Sequence, residues 1–126
     1  MSHRAIVIDD NPDIREMFLL MLPLTGWEVI AAGAGGIRVE PPPDVYLIDI
    51  MLAGPMAGAV DGIEYAKRLR ERGIRAPFIA LSASTHQLEA AKKSGLFAAC
   101  VAKPFDMFDL AGMMRELIGA SDETTE

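Results

Sequence analysis

The stretch Ala5-Ile6-Val7-Ile8-Asp9-Asp10-Asn11-Pro12 contains the reading from which the rest of the chain can be placed. Four apolar residues without a polar interruption suit a strand buried on both faces. The run stops at two acids and a helix-starting pair. Asn11 can accept hydrogen bonds from the first free amides, and Pro12 fits the first helical position. Ile14, Met17, Phe18, Met21 and Leu22 then recur at helical spacing, until Pro23 and Gly26 end the segment.

Outward from this unit the pattern repeats. Residues 27–31 read as a second strand and 45–48 as a third that again ends in an acid, Asp49. Residues 77–81 form a fourth, ending at Ser82, and 98–102 a fifth, ending before Lys103. Asp61-Gly62-Ile63-Glu64 is a capping pattern; Ile63, Ala66 and Leu69 follow on one side, Lys67, Arg68, Arg70 and Arg72 on the other, and Gly73 closes the helix. Ser84 with Gln87 caps a helix to about Ser94, and Asp106 with Asp109 caps the last one through Ile118. Between the second and third strands, Gly33, Gly35, Gly36 and Pro41-Pro42-Pro43 oppose a helix and leave only 37–40 as a turn. Gly33-Ala34-Gly35-Gly36 partly matches a dinucleotide fingerprint, but Arg38 occupies the sixth position and Pro41 cuts off the helix that must follow, so it reads as a loop. Buried strands alternating with helices predict an α/β doubly wound five-stranded parallel sheet with helices on both faces and the second helix short or absent.

Composition bounds the function. The 126 residues are 51% apolar and 24% charged, enough for one core and one domain, read as 1–120 with a polar tail at 121–126. Acids outnumber bases 18 to 12, giving a net charge of −6 that repels phosphate backbones and anionic lipid. No direct nucleic-acid partner and no membrane are therefore expected. The lone Cys100 offers neither an internal disulfide nor a multi-thiolate metal site, which fits a cytoplasmic setting. The most apolar run, 17–24, contains Pro23 and falls far short of the ~20 residues of a membrane helix. His3 and His86 are isolated and read as surface histidines.

In doubly wound sheets ligands collect at the carboxyl ends of the strands. Here those ends carry Asp9-Asp10, Asp49, Ser82 and Lys103. Three clustered carboxylates repel unless one protonates or a hard cation neutralises them, and Mg²⁺ suits a few carboxylates plus water and a phosphate oxygen. Phosphoryl transfer needs a nucleophile, cationic charge and donors on the remaining oxygens.

The joint pattern Ile8-Asp9-Asp10-Asn11-Pro12, Leu47-Ile48-Asp49-Ile50-Met51-Leu52, Asp61-Gly62, Leu81-Ser82-Ala83 and Ala102-Lys103-Pro104-Phe105 resembles the receiver domain of bacterial two-component response regulators, a chemotaxis-regulator-like, flavodoxin-like fold. The likeness covers nearly the whole chain. It implies phosphorylation on Asp49, with Asp10 a direct Mg²⁺ ligand, Asp9 a ligand through water and the Met51 carbonyl a further one. It implies that Ser82, Ala83 and Lys103 hold phosphoryl oxygens, and that the bond before Pro104 is cis. Its implied partners are a histidine kinase or histidine phosphotransfer protein and a downstream protein target, with no enzymatic activity beyond the domain's own phosphorylation and dephosphorylation.

Three departures accompany the likeness. Thirteen positions separate Asp49 from Gly62, where the family has about eight by analogy with such strand-to-helix loops. Residues 53–60, with Gly54, Pro55 and Gly58, thus form an uncharged insertion expected to overhang the site, either as a gate or as a passive insertion. The second helix is eroded. Cys100 replaces the tyrosine or phenylalanine usual three positions before the lysine, so the switch is expected after Ser82, near Thr85 and His86, with Cys100 a small packed side chain. Only 120–126 follow the last helix, which directs output to another chain unless this is part of a longer one. Two rivals remain: a Mg²⁺-dependent phosphatase, which would want an acid where Met51 stands, and a degenerate receiver serving as a phosphorylation-independent binding module.

Overall fold

In the computed structural model, residues 3–33, 39–51 and 61–123 are described, with side chains to 119. Strand β1 (His3–Ile8) is followed by helix α1 (Pro12–Met21), a 3₁₀ turn (Leu22–Thr25), β2 (Trp27–Ala32), β3 (Val45–Asp49), α2 (Gly62–Glu71), β4 (Phe78–Ser82), α3 (Thr85–Ser94), β5 (Ala99–Ala102) and α4 (Met107–Glu123). All strand pairs are parallel, in the order β2-β1-β3-β4-β5.

Alternation along β1 divides the core. Ala5 and Val7 pack with Phe18 and Leu22 of the first helical segment and Met107, Leu110, Ala111 and Met114 of α4. Ile6 and Ile8 face the other way, against Tyr65, Ala66 and Leu69 of α2. Ala91 of α3 joins Ala80 and Ile50 in an adjoining cluster. Because both faces are covered, the central strands lose their polar alternation and appear in the sequence as uninterrupted apolar runs.

Element ends differ from the sequence expectation for identifiable reasons. β1 begins at His3 because His3 and Arg4 align with Trp27 and Glu28 of β2, and Arg4 Nε lies 3.1 Å from a Glu28 carboxylate oxygen. β4 runs one residue later than expected. Pro77 has no N–H to give the ladder, though its carbonyl accepts the Tyr46 N–H at 3.0 Å, while Ser82 pairs with Ala102. α4 continues past Ile118 to Glu123, so the first residues of the expected polar tail are helical.

Between β2 and β3 no helix occurs among the described residues; 34–38 lie outside them. The chain instead returns along β1: the Asp44 N–H donates to the Arg4 carbonyl at 2.7 Å, and the Arg4 N–H donates to Asp44 Oδ2 at 2.8 Å. Val29, Ile30, Ala31 and Ala32 are only half-buried, in a strand that lies at the edge of the sheet.

Candidate functional site

At the carboxyl edge of the sheet, ladder bonds fix the backbone before any side chain is placed. The Asp9 N–H donates to the Ala32 carbonyl at 2.9 Å, Ile50 N–H to the Leu81 carbonyl at 2.9 Å and Lys103 N–H to the Ser82 carbonyl at 2.9 Å. The ends of β1, β3, β4 and β5 therefore meet at one rim. An open cleft of about 520 Å³ there is lined by Asp9, Asp10, Asp49, Met51, Ser82, Ala83 and Lys103, together with Asn11, Ser84 and Gln87. Every residue that the resemblance assigns to metal or phosphoryl binding is thus brought to one place. Cys100 stands apart, half-buried against the cluster of Ile50, Ala80 and Ala91, with burial pushing its thiol pKa up. The Lys103–Pro104 peptide is cis, as is Glu40–Pro41. The expected insertion, 53–60, lies outside the described residues.

The acids occupy different surroundings. Asp9 is 1% exposed; its Oδ1 accepts the Asn11 N–H at 2.9 Å, and its carbonyl accepts from Arg15 Nη1 at 2.7 Å. Asp49 is 7% exposed, with Oδ1 accepting the Met51 N–H at 3.2 Å. Asp10 is exposed at the mouth, its Oδ1 close against Gly33: a Cβ placed on that glycine would lie 2.9 Å from the oxygen. Lys103 Nζ sits between the two buried carboxylates, 3.4 Å from Asp9 Oδ2 and 3.5 Å from Asp49 Oδ2. Those separations exceed the ~2.7–2.9 Å of a tight charge-assisted bond, so the ammonium is shared and held loosely. Burial, then the Asp9 charge, raises the Asp49 pKa against the lowering pull of Lys103 and the Met51 amide.

One ammonium shared by the two buried carboxylates leaves Asp9 and Asp49 incompletely neutralised, which suits a hard cation. Among the described residues no three His, Cys, Asp or Glu side chains form a ready metal cage. Mg²⁺ keeps much of its water and uses one or two carboxylates instead of an all-protein shell. The residues present fit such an ion: Asp9, Asp10, Asp49 and the Met51 carbonyl offer only oxygen.

Three contributors were not legible as functional. Gly62 carries a packing constraint, since a Cβ there would run into the Asp49 carbonyl and lie 2.7 Å from Ile50 Cα. Arg15 secures the Asp9 backbone, and Gln87 Oε1 accepts a hydrogen bond from the Ser82 hydroxyl at 2.6 Å. Gln87 did have a sequence signal, its place in the Ser84 capping pattern, but that pattern gives no hint of a third partner. His3 and His86, by contrast, stay away from the cleft lining. His3 lies 3.7 Å from Asp44, and its ring is 5.4 Å from that of Trp27; His86 is exposed.

Comparison with known proteins agrees with this geometry. The family model described as the response regulator receiver domain matches residues 5–115. The transcriptional regulatory protein KdpE of Mycobacterium tuberculosis is 34% identical over 129 aligned positions, covering 97% of this chain and 54% of that protein. The phosphate regulon transcriptional regulatory protein PhoB of Pseudomonas aeruginosa is 31% identical over 90% of this chain and 50% of its own length. The chain spans about half the length of the curated relatives it matches. Among solved structures, the receiver domain of the Francisella response regulator 1452 superposes with a TM-score of 0.79 at 28% identity, covering 95% of this chain and 99% of that one. The receiver domain of the sensor histidine kinase PA1611 from Pseudomonas aeruginosa, described with a magnesium ion coordinated in its active-site cleft, gives 0.76 at 27% identity, covering 94% and 99%. With its strand order, its acidic rim and this match over most of its length, the chain belongs to the response regulator receiver domain family and is a two-component signalling module.

Proposed function

We propose that this receiver takes a phosphoryl group onto Asp49 from a histidine kinase or histidine phosphotransfer protein and passes the signal to a protein target. The observation that carries the reading is the sharing of the Lys103 ammonium between Asp9 and Asp49, at 3.4 and 3.5 Å. A carboxylate this enclosed and this weakly neutralised is poised to accept an electrophile. An Asp49 oxygen attacks phosphorus and the P–N bond to the donor imidazole breaks; the electron pair stays on that nitrogen, which takes a proton. Lys103 then meets the charge on the phosphoryl oxygens, with the Ser82 hydroxyl and Ala83 N–H as further donors. Asp10, Asp49 and the Met51 carbonyl, with Asp9 through water, would hold Mg²⁺, which would supply the remaining positive charge.

The domain extends over 1–120 and catalyses only its own phosphorylation and dephosphorylation. Its acidic balance keeps this stretch off nucleic acid, and its setting is the cytoplasm; among the described residues no helix is long and apolar enough to cross a membrane. The full acid, hydroxyl and lysine set disfavours a degenerate binding module. Met51, where a second acid would be needed, disfavours a phosphatase. Incubation with acetyl phosphate and Mg²⁺ should add one phosphoryl mass, lost without Mg²⁺ and in Asp49→Asn. Turnover of the donor without an adduct, or no reaction, would overturn the proposal.

A further inference from the structure

Ser82 ends β4 with 1% exposure, and its hydroxyl has one proton to donate. That proton goes to Gln87 Oε1 at 2.6 Å, while the oxygen accepts the Ser84 backbone N–H at 3.0 Å. Ser84 is the N-cap of α3 and Gln87 its third residue. In a capping box these two positions bond reciprocally: the cap hydroxyl accepts the third residue's N–H, and the third side chain reaches back to the cap's N–H. Here only half the box is closed. Ser84 Oγ accepts the Gln87 N–H at 3.2 Å, but the return bond is intercepted by Ser82 Oγ, which takes from Ser84 and gives to Gln87.

We propose that Ser82, Ser84 and Gln87 form a hydrogen-bond exchange switch: when a phosphoryl oxygen on Asp49 takes the Ser82 proton, Ser84 N–H and Gln87 Oε1 bond to each other and the box closes. This rests on the reading of Asp49 as phosphoacceptor and Ser82 as donor to it. Two neutral bonds at rest become one neutral bond and one to an anionic oxygen, which is roughly twice as strong as a neutral bond. Neither state strands a polar group, so the exchange avoids the penalty of an unmade buried bond. Among the described residues no buried side-chain nitrogen or oxygen lacks a partner at rest. Gln87 is thus a positioning residue, and the head of α3 changes its hydrogen bonding without an aromatic at position 100, where Cys100 packs against Ala80 and Ala91.

Amide hydrogen exchange and backbone NMR of the full chain, with and without Mg²⁺ and beryllofluoride, test this. The Ser84 amide should shift on beryllofluoride yet stay protected, and Ser82→Ala should bring the Ser84 and Gln87 resonances to those shifted positions with nothing added. Gln87→Met, which keeps length but lacks an acceptor, should leave Ser84 protected at rest and cost it about tenfold or more in protection once beryllofluoride is bound; Gln87→Glu should restore it. A Ser84 amide that stays put while Asp49 and Met51 respond, or equal protection in Gln87→Met, overturns the switch alone. Failure of the wild-type chain to bind beryllofluoride overturns both the switch and the phosphoacceptor reading.

Discussion

Asp49 stands where ionisation is costly: it is nearly buried, faces Asp9, and has only a share of Lys103. Its raised pKa makes this a statement about stability. A carboxyl whose folded pKa lies above its unfolded value stabilises the fold while protonated, fully below the unfolded pKa, and loses that contribution as pH rises through the folded one. Asp49→Asn, which cannot ionise, should therefore raise Tm at pH 7. The difference should shrink toward zero as pH falls through the Asp49 pKa. An Asn variant less stable than wild type at pH 7 would mean that the lost contact with Lys103 outweighs the repulsion. Asp9, Asp49, Ser82 and Lys103 were legible in the sequence because each follows or ends a short, continuous apolar run that suits a strand buried on both faces. Gln87 and Arg15 were not, because their roles depend on a hydroxyl or a carbonyl that only the folded chain brings near them.

At the scale of elements, the long β3-to-α2 connection is absorbed without disturbing what it joins. Gly62 N–H donates to the Ile50 carbonyl at 2.9 Å, so the connection leaves and returns at nearly the same point. Closing a longer loop costs little, about 0.6 kcal/mol for each doubling. The tolerance ends at Gly62. Its missing side chain lets the α2 start lie on the β3 backbone, and any Cβ would force the two apart. Gly62→Ala should destabilise by about 1–3 kcal/mol, as overpacking of a tight contact does. Because the strain falls on the backbone of Asp49 itself, Mg²⁺ affinity should drop as well. Urea titration and calorimetry of one protein sample check both, and wild-type stability in the variant would show that α2 docks more loosely than the contact implies. The strand interiors could be read from sequence because burial on both faces erases alternation. The ends could not: His3 and Arg4 belong to β1 through contacts with Trp27, Glu28 and Asp44, and polar residues in pairing contacts look like loop until the partner is known.

Across the whole molecule, the parallel arrangement puts every acid of the site at one end of the sheet and Trp27 at the other. Trp27 begins β2 and pairs with His3, whereas the far end of β2, at Ala32, bonds to Asp9. Five steps of strand separate them, roughly 17 Å at ~3.3 Å per residue. Trp27 is 3% exposed, packed in the core on the α1 and α4 side. Its emission should report whether the core is intact and be insensitive to what occupies the rim. On the proposed reading, Mg²⁺ bound at the rim would stabilise only the folded chain, by RT ln(1 + [Mg²⁺]/Kd). Two measurements on one fluorophore should then part company. Native-state Trp27 emission should stay flat through a Mg²⁺ titration, while the Tm read from the same emission rises with Mg²⁺ concentration and ceases to rise in Asp10→Asn. A flat Tm would remove the cation from the site. Strong quenching of the native signal would mean that binding reaches the opposite end of the sheet, which the rigid ladder between Ala32 and Trp27 gives no means of doing.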